Sequence, residues 1–252
     1  MSDVLVLCYH AMSRDWGAGF SATPERLEAQ IGSLLERGYE GATFTDAATR
    51  PPAERTLAVT FDDSYRSVLE LAAPVLRRLG VPGTVFVPTS MAGSGQPMAW
   101  PGIDNWLGGP HEQELVPMSW QELRELATAG WEVGSHTRSH PRLPTLEAGL
   151  LREELEGSRA DIESHIDGPC TSLAFPYGDF DARVVEATRA AGFTAAGALA
   201  GRVREPGALT WPRVGIYYKD VGLRFRAKAS PAIRRFRATR LWRVRFLLRR
   251  GR

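Results

Sequence analysis

The chain has 252 residues, 43% of them apolar and 24% charged, which excludes disordered and collagen-like classes and points to one globular domain with at most an appendage. A chain of this length buries roughly 70–75% of its extended surface, and two cysteines, Cys8 and Cys170, are too few for a disulfide framework or a Cys-rich zinc module. The net charge of +2 hides a division: residues 1–221 carry 19 basic and 29 acidic side chains, whereas residues 222–252 carry 12 basic and none acidic.

Residues 4–9 read as a first strand. The run is too short, with Asp3 before it and no basic stretch, to be an export signal, and no apolar run reaches the roughly 18–20 residues of a membrane span. The expected compartment is therefore the cytoplasm. Thr23-Pro24 can cap and open a helix that closes at Gly38, before a β-rich run at 39–44. A strand at 56–61 leads into a helical stretch from Ser64 to Gly80, followed by a strand at 81–87. Residues 92–117, rich in Gly, Pro and Trp, are too long for an ordinary connection and read as an excursion over one face. Ser119 and Glu122 have capping-box spacing and open a helix closed by Gly130 before a strand at 131–135. A helical stretch at 146–166, a strand at 172–175, a helix from Asp181 to Gly192 and a strand at 193–199 complete the series.

About seven strands, most separated by helices, imply an α/β fold with a parallel sheet, here a distorted seven-stranded, TIM-like (β/α) barrel over residues 1–221. Residues 222–252 form a basic helical tail. In a helix begun after Ser230-Pro231, Ile233, Phe236, Leu241, Val244, Leu247 and Leu248 fall within about 140° of one another, while Trp242 and Phe246 fall opposite. Such a tail can pack on the acidic body or lie on an anionic membrane surface. No nucleic-acid partner is expected, because the body is acidic and carries no recognised nucleic-acid motif.

The polar residues in need of explanation lie at strand C-terminal ends, which in a barrel converge on one mouth. They are Tyr9-His10, Asp62-Asp63, His136 with His140, and Pro176-Tyr177-Gly178. Taken alone, Asp62-Asp63 could be a helix cap with a solvated neighbour, and the two histidines a surface loop. Together, two imidazoles and a carboxylate leave coordination positions open, as a catalytic divalent-metal site does. Zinc suits that donor set, and cobalt, nickel or iron would also suit it.

The stretches Thr60-Phe-Asp-Asp63, His136-Thr-Arg-Ser-His140-Pro141 and Phe175-Pro-Tyr-Gly178, with the opening Leu7-Cys-Tyr-His10, resemble the motifs of the polysaccharide deacetylase family, carbohydrate esterase family 4. The resemblance covers roughly residues 3–217. It implies Asp63, His136 and His140 as metal ligands, Asp62 as the base that deprotonates the metal-bound water, and the Tyr177 N–H as an oxyanion donor. It also implies removal of an N-acetyl group from an amino sugar, with release of acetate.

Two positions depart from the family pattern. Ala174 stands where members commonly carry an arginine that partners the catalytic Asp, and no histidine follows His165 to protonate the leaving amine. His10 is expected to supply the proton, since an amide anion is a very poor leaving group. Arg213, before a β-like run at 214–218, could reach back to Asp62 or instead form a surface or inter-strand ion pair. Pro176, Tyr177, Trp100 and Trp106 are expected to line the sugar site, although the two tryptophans could equally pack the excursion against the barrel. A lipid-linked, nucleotide-linked or small oligosaccharide precursor fits the expected compartment. The rival readings are a different amidase on the same scaffold, opening a cyclic amide or ureide, and a non-catalytic carbohydrate-binding protein.

Overall fold

The structure, a computed structural model, describes residues 3–201, 203 and 206–238, in two compact units, Met1–Tyr218 and Lys219–Arg252. Eight parallel strands run through the first unit: β1 (Asp3–Tyr9), β2 (Glu40–Ala42), β3 (Arg55–Phe61), β4 (Gly83–Val87), β5 (Glu132–Ser135), β6 (Ser172–Ala174), β7 (Ala195–Leu199) and β8 (Trp211–Gly215). β1 pairs with β3 on one side and β8 on the other, so the order β1-β8-β7-β6-β5-β4-β3 closes into a seven-stranded barrel.

The number of strands in the ring is the expected one, but its membership differs. β3 gives its whole length to β1 and divides its other edge, pairing residues 56–58 with β2 and residues 59–61 with β4. β2 is therefore a short strand beside the ring. The run at 39–44 breaks after Ala42 because the Thr43 hydroxyl accepts from Asp46 N at 3.3 Å and starts a helix, α2 (Phe44–Thr49). The seventh place belongs to β8, which begins three residues before the β-like run read from sequence. Pro212 masks this strand, since proline has no N–H for a ladder.

Helices α1 (Pro24–Leu35), α3 (Ala73–Leu79), α4 (Trp120–Thr128), α5 (Ala148–Arg152), α6 (Ser158–Ile166) and α7 (Ala182–Ala190) link the strands. They start at the expected caps: Thr23 accepts from Arg26 N, Ser119 and Glu122 cap reciprocally, and Asp181 accepts from Val184 N at 2.8 Å. One π turn, Val68–Ala72, precedes α3, and another, Glu153–Gly157, joins α5 to α6.

α2 bonds to the starting ends of three strands. Phe44 N donates to the Thr84 hydroxyl at 2.9 Å, Thr45 N donates to Glu132 at 2.9 Å, and the Thr45 hydroxyl lies 3.2 Å from that of Thr171. Phe44 enters an apolar cluster with Val6, Ala58, Phe86, Ala174 and Ala195. Asp62-Asp63 and His136 follow the C-terminal ends of β3 and β5. The excursion at 92–117 carries two 3₁₀ turns, Asp104–Trp106 and Glu112–Leu115, and is tied down by hydrogen bonds such as Met98 N to Leu115 O at 3.0 Å.

In the second unit, α8 (Gly222–Ala229) and α9 (Pro231–Ala238) follow one another. α8 lies in the stretch read as a helical tail, ahead of the helix expected after Ser230-Pro231, and α9 starts at that proline. Asp220 accepts from Arg224 Nε at 2.7 Å and from Lys228 Nζ at 2.5 Å, so two of the tail's cations are already paired. Leu241, Trp242, Val244, Phe246, Leu247 and Leu248, the rest of the expected amphipathic face, lie outside the described residues. Among the described residues no helix is long and apolar enough to cross a membrane.

Candidate active site

Asp62 and Asp63 leave the end of β3 and are both buried, each 4% exposed, so neither is a solvated neighbour of a cap. Asp63 and Ser64 take left-handed backbone conformations, with φ of 68° and 52°, and this turn sends the two carboxylates to different partners. Asp62 is gripped by Arg213 of β8, with Nη1 to Oδ1 at 2.6 Å and Nη2 to Oδ2 at 2.9 Å, a two-pronged charge-assisted pair. Arg213 is 1% exposed, lies 5.1 Å from the Phe86 ring centroid, and also donates from Nη1 to the Thr60 hydroxyl at 3.2 Å.

Gly197 makes room for this side chain. A Cβ there would stand 2.6 Å from Arg213 Nε and 2.7 Å from its Cδ. Burial drives the Asp62 carboxyl upward, but the Arg213 guanidinium outweighs it and holds the group well below the usual carboxylate range. Ala174 leaves this role open, and an arginine from two strands further round the ring fills it.

Asp63 is in the opposite condition. Its Oδ1 is buried with no hydrogen-bond partner, 3.4 Å from His136 Nε2 and 3.5 Å from His140 Nε2. Burial raises its carboxyl well above the usual range, and the charge on Asp62 raises it further. His136 donates from Nδ1 to Ala174 O at 2.8 Å, which leaves its Nε2 lone pair facing Asp63. Burial lowers His136 to about 4 and His140 to about 2, so both are neutral in ordinary buffers.

One donor atom from each of Asp63, His136 and His140 lies within 4.8 Å of the other two. This N,N,O set, with an orphaned carboxylate oxygen at its centre, fits a divalent ion. Among the described residues, five of the six non-glycine positions with positive φ are Asp63, Ser64, Thr137, His140 and Tyr177, all in the loops that carry these groups. Backbone strain is stored where side chains must be aimed.

His10 ends the loop side of β1 and shares a second cluster with Cys8 and Asp62, its donor atoms also within 4.8 Å of theirs. Its Nδ1 is buried without a partner, and burial lowers its pKa. Pro176 and Tyr177 form the turn after β6, with Tyr177 at φ 57° and its ring 4.7 Å from His140. That turn is closed by Gly178 N to Phe175 O and Asp179 N to Pro176 O, so the Tyr177 N–H is not one of its closing donors.

Trp100, 8% exposed, stacks on His140 with centroids 4.3 Å apart and so orients that imidazole. Trp106 instead packs edge-on against Trp16 at 5.2 Å. Two neighbours of the carboxylates have no role in the sequence reading, which leaves Tyr65 to packing: Cys8, whose thiol donates to Asp62 Oδ2 at 3.3 Å, and Tyr65, whose buried hydroxyl interacts electrostatically with Asp63. Strand parity could have shown the first, because Cys8 pairs with Thr60, two residues before Asp62.

Residues 49–196 match the model of the family described as polysaccharide deacetylase. The Bacillus subtilis (strain 168) protein YxkH, which carries that family's name provisionally, is 24% identical over 208 residues, 81% of this chain. The match spans only 65% of that relative's length. IcaB from Ammonifex degensii is similar in structure, with a TM-score of 0.73 and 25% identity over 91% of this chain and 97% of that one. The Streptococcus pyogenes deacetylase PplD, solved in complex with acetate, shares the fold at 17% identity and a TM-score of 0.73, over 90% of this chain and 98% of that one.

Proposed function

The chain belongs to the polysaccharide deacetylase family, and from that membership we propose that it hydrolyses the acetamide of an N-acetylated amino sugar, yielding acetate and a free amine. The observation that carries the proposal is the contrast between neighbouring carboxylates: Asp62 is held ionised by Arg213, while Asp63 Oδ1 is orphaned between two imidazole Nε2 atoms. Asp63, His136 and His140 would hold a divalent ion, zinc, cobalt, nickel and iron all being compatible with the donors. Such an ion supplies Lewis acidity, lowering the pKa of water from about 16 to about 7 and polarising a carbonyl.

The remaining roles belong to the chain. Asp62 accepts the proton of the water that attacks the acetamide carbon, and positioned acid–base groups of this kind are worth about 10²–10⁴-fold in rate. The Tyr177 N–H faces the oxyanion that develops, a donor whose loss costs about 3–4 kcal/mol. As the C–N bond breaks, His10 passes to the leaving amine the proton that Asp62 took from the water, so the imidazole ends neutral as it began. Its place beside Asp62 supports that role. Pro176 and Tyr177 wall the acetyl group, and Trp100 fixes His140 by stacking on its ring. Trp106 stands further out, in the aromatic cluster with Trp16.

The basic stretch 222–252, with Leu223 80% exposed, supports a lipid-carried substrate at an anionic surface. Sedimentation of the full chain with anionic vesicles tests that element, and no co-sedimentation removes it. Acetate release from N-acetylated sugars, measured before chelation, after it, and after adding back a divalent metal, tests the main proposal. Acetate release that survives chelation, or none from the metal-loaded chain, would refute it.

A further inference from the structure

The loop that carries His136 and His140 has no regular structure, yet it keeps Thr137 (φ 67°) and His140 (φ 60°) in the left-handed region, the first of them β-branched. Such a loop holds its shape only where partners over-determine its backbone. His136 N donates to Val87 O at 2.8 Å, Thr137 N to the Ser135 hydroxyl at 3.0 Å, and His140 N to the Thr137 hydroxyl at 3.1 Å. The two amides between them share one carboxylate: Arg138 N and Ser139 N donate to Glu154 Oε2 at 2.8 and 2.9 Å, and the Ser139 hydroxyl donates to Glu154 Oε1 at 2.5 Å.

Glu154 lies on the π turn Glu153–Gly157. A π turn adds a residue to a helix and recurs at functional sites. The same turn places Gly157 under Arg138, where a Cβ would come within 2.7 Å of Arg138 Cδ. Arg138 Nε passes on to Asp161 Oδ2 at 3.1 Å, and that oxygen also accepts from the Thr89 hydroxyl at 2.6 Å. The irregular helix therefore grips the loop through Glu154, Gly157 and Asp161.

The two imidazoles depend on this grip unequally. His136 Nδ1 is fixed by Ala174 O, whereas His140 Nδ1 has no partner and its ring is set by its backbone and by Trp100. We infer that Glu154 is a positioning residue for the metal-binding constellation: by clamping the two central amides of the loop it sets where His140 Nε2 stands against Asp63 Oδ1. The inference rests on the reading that Asp63, His136 and His140 bind a divalent ion, and it assigns Glu154 no contact with substrate.

The test is zinc affinity of the full chain by chelator competition, with the visible spectrum of the cobalt-loaded protein as a reporter of ligand geometry. E154A is expected to bind zinc about 10–100-fold more weakly, the usual effect of losing an outer support, and to alter the cobalt band. E154D keeps the charge and the helix but shortens the reach, and is expected to fall with E154A. E154Q still accepts from both amides through its Oε1 and is expected within about threefold of the parent. Glu153, next to Glu154 on the same turn, accepts from Arg138 Nη1 at 3.2 Å rather than from the loop amides, so E153A is expected to leave affinity unchanged. Folded E154A and E154D with parental zinc affinity, or E153A losing as much, overturn the inference while the metal reading stands. A parent chain that takes up no zinc overturns both.

Discussion

Replacing Arg213 with methionine removes a guanidinium but keeps much of its bulk, and it isolates the most consequential ion pair of the site. The pair is bidentate at 2.6 and 2.9 Å between side chains that are almost wholly buried. Breaking a buried pair from one side costs about 3–5 kcal/mol because the surviving charge has no water to return to. For a chain of this size each kcal/mol lowers Tm by roughly 2–4 °C, so R213M should melt roughly 6–20 °C below the parent near pH 7.

The difference depends on pH. In the parent the folded-state pKa of Asp62 lies below its unfolded value, so the associated stability is present above the usual carboxylate range and is lost only as pH falls through the depressed value. In R213M burial acts unopposed and the carboxyl moves above its unfolded value, so stability falls as pH rises. The Tm gap should narrow from pH 7 to pH 4, and the acid limb of kcat/KM should move to higher pH, with roughly 10²–10⁴-fold loss at neutrality. Thermal melts across that range together with pH–rate profiles decide it. A gap that does not change with pH, with an unmoved acid limb, would show that Arg213 neither ionises nor orients the base.

Three other perturbations probe the same site. G197A puts a methyl 2.6 Å from Arg213 Nε and should cost about 1–3 kcal/mol while displacing the arginine from Asp62; parental Tm and activity would refute this. Asp63, raised by burial and by Asp62, must give up its proton when a divalent ion binds, so zinc calorimetry in buffers of different ionisation enthalpy should report proton release that D63N abolishes. In the metal-free chain that raised pKa means stability lost as pH rises, so zinc should raise Tm more at pH 7.5 than at pH 5, and a buffer-independent heat with a pH-independent Tm gain would contradict the assignment. H10Q should keep its metal and lose more than about tenfold in kcat; a smaller loss with metal content unchanged removes His10 as proton donor.

The fold was legible in the sequence wherever a cap or a closing residue marked an element. Thr23-Pro24, the Ser119/Glu122 box and Asp181 all start helices where they were read. Strand membership was less legible, because pairing is a long-range property. Nothing local distinguishes a three-residue strand beside the ring from a member of it, and Pro212 argues against β8 on propensity alone. The residues that the structure brings together around Asp62 and Asp63 were legible through their positions at strand ends. Their second layer was not, since Cys8, Gly197 and Glu154 sit in unremarkable contexts and acquire meaning only from what the barrel places against them. The aromatic pair shows the same limit: composition marked Trp100 and Trp106 equally, and three-dimensional packing separated them, one onto His140 and one onto Trp16.

Two carboxylates that are neighbours in sequence end in opposite electrostatic states because one cation cannot serve both. Arg213 spends its fork on Asp62, and Asp63, turned away by its left-handed backbone, meets burial and the charge of its neighbour with no hydrogen bond to Oδ1. Each state creates a demand. A carboxylate held as low as Asp62 is a weak base and takes no proton from ordinary water, whose pKa is about 16; it is useful only beside something that acidifies that water. A carboxyl raised by burial and by a neighbouring charge, as Asp63 is, ionises more readily beside a positive charge. A divalent ion held by Asp63, His136 and His140, as proposed, would answer both demands and would account for a base and an ion site on adjacent residues. The same proposal would account for an arginine from β8 serving where Ala174 leaves β6 without one, since it asks for a fixed cation on Asp62 whichever strand supplies it.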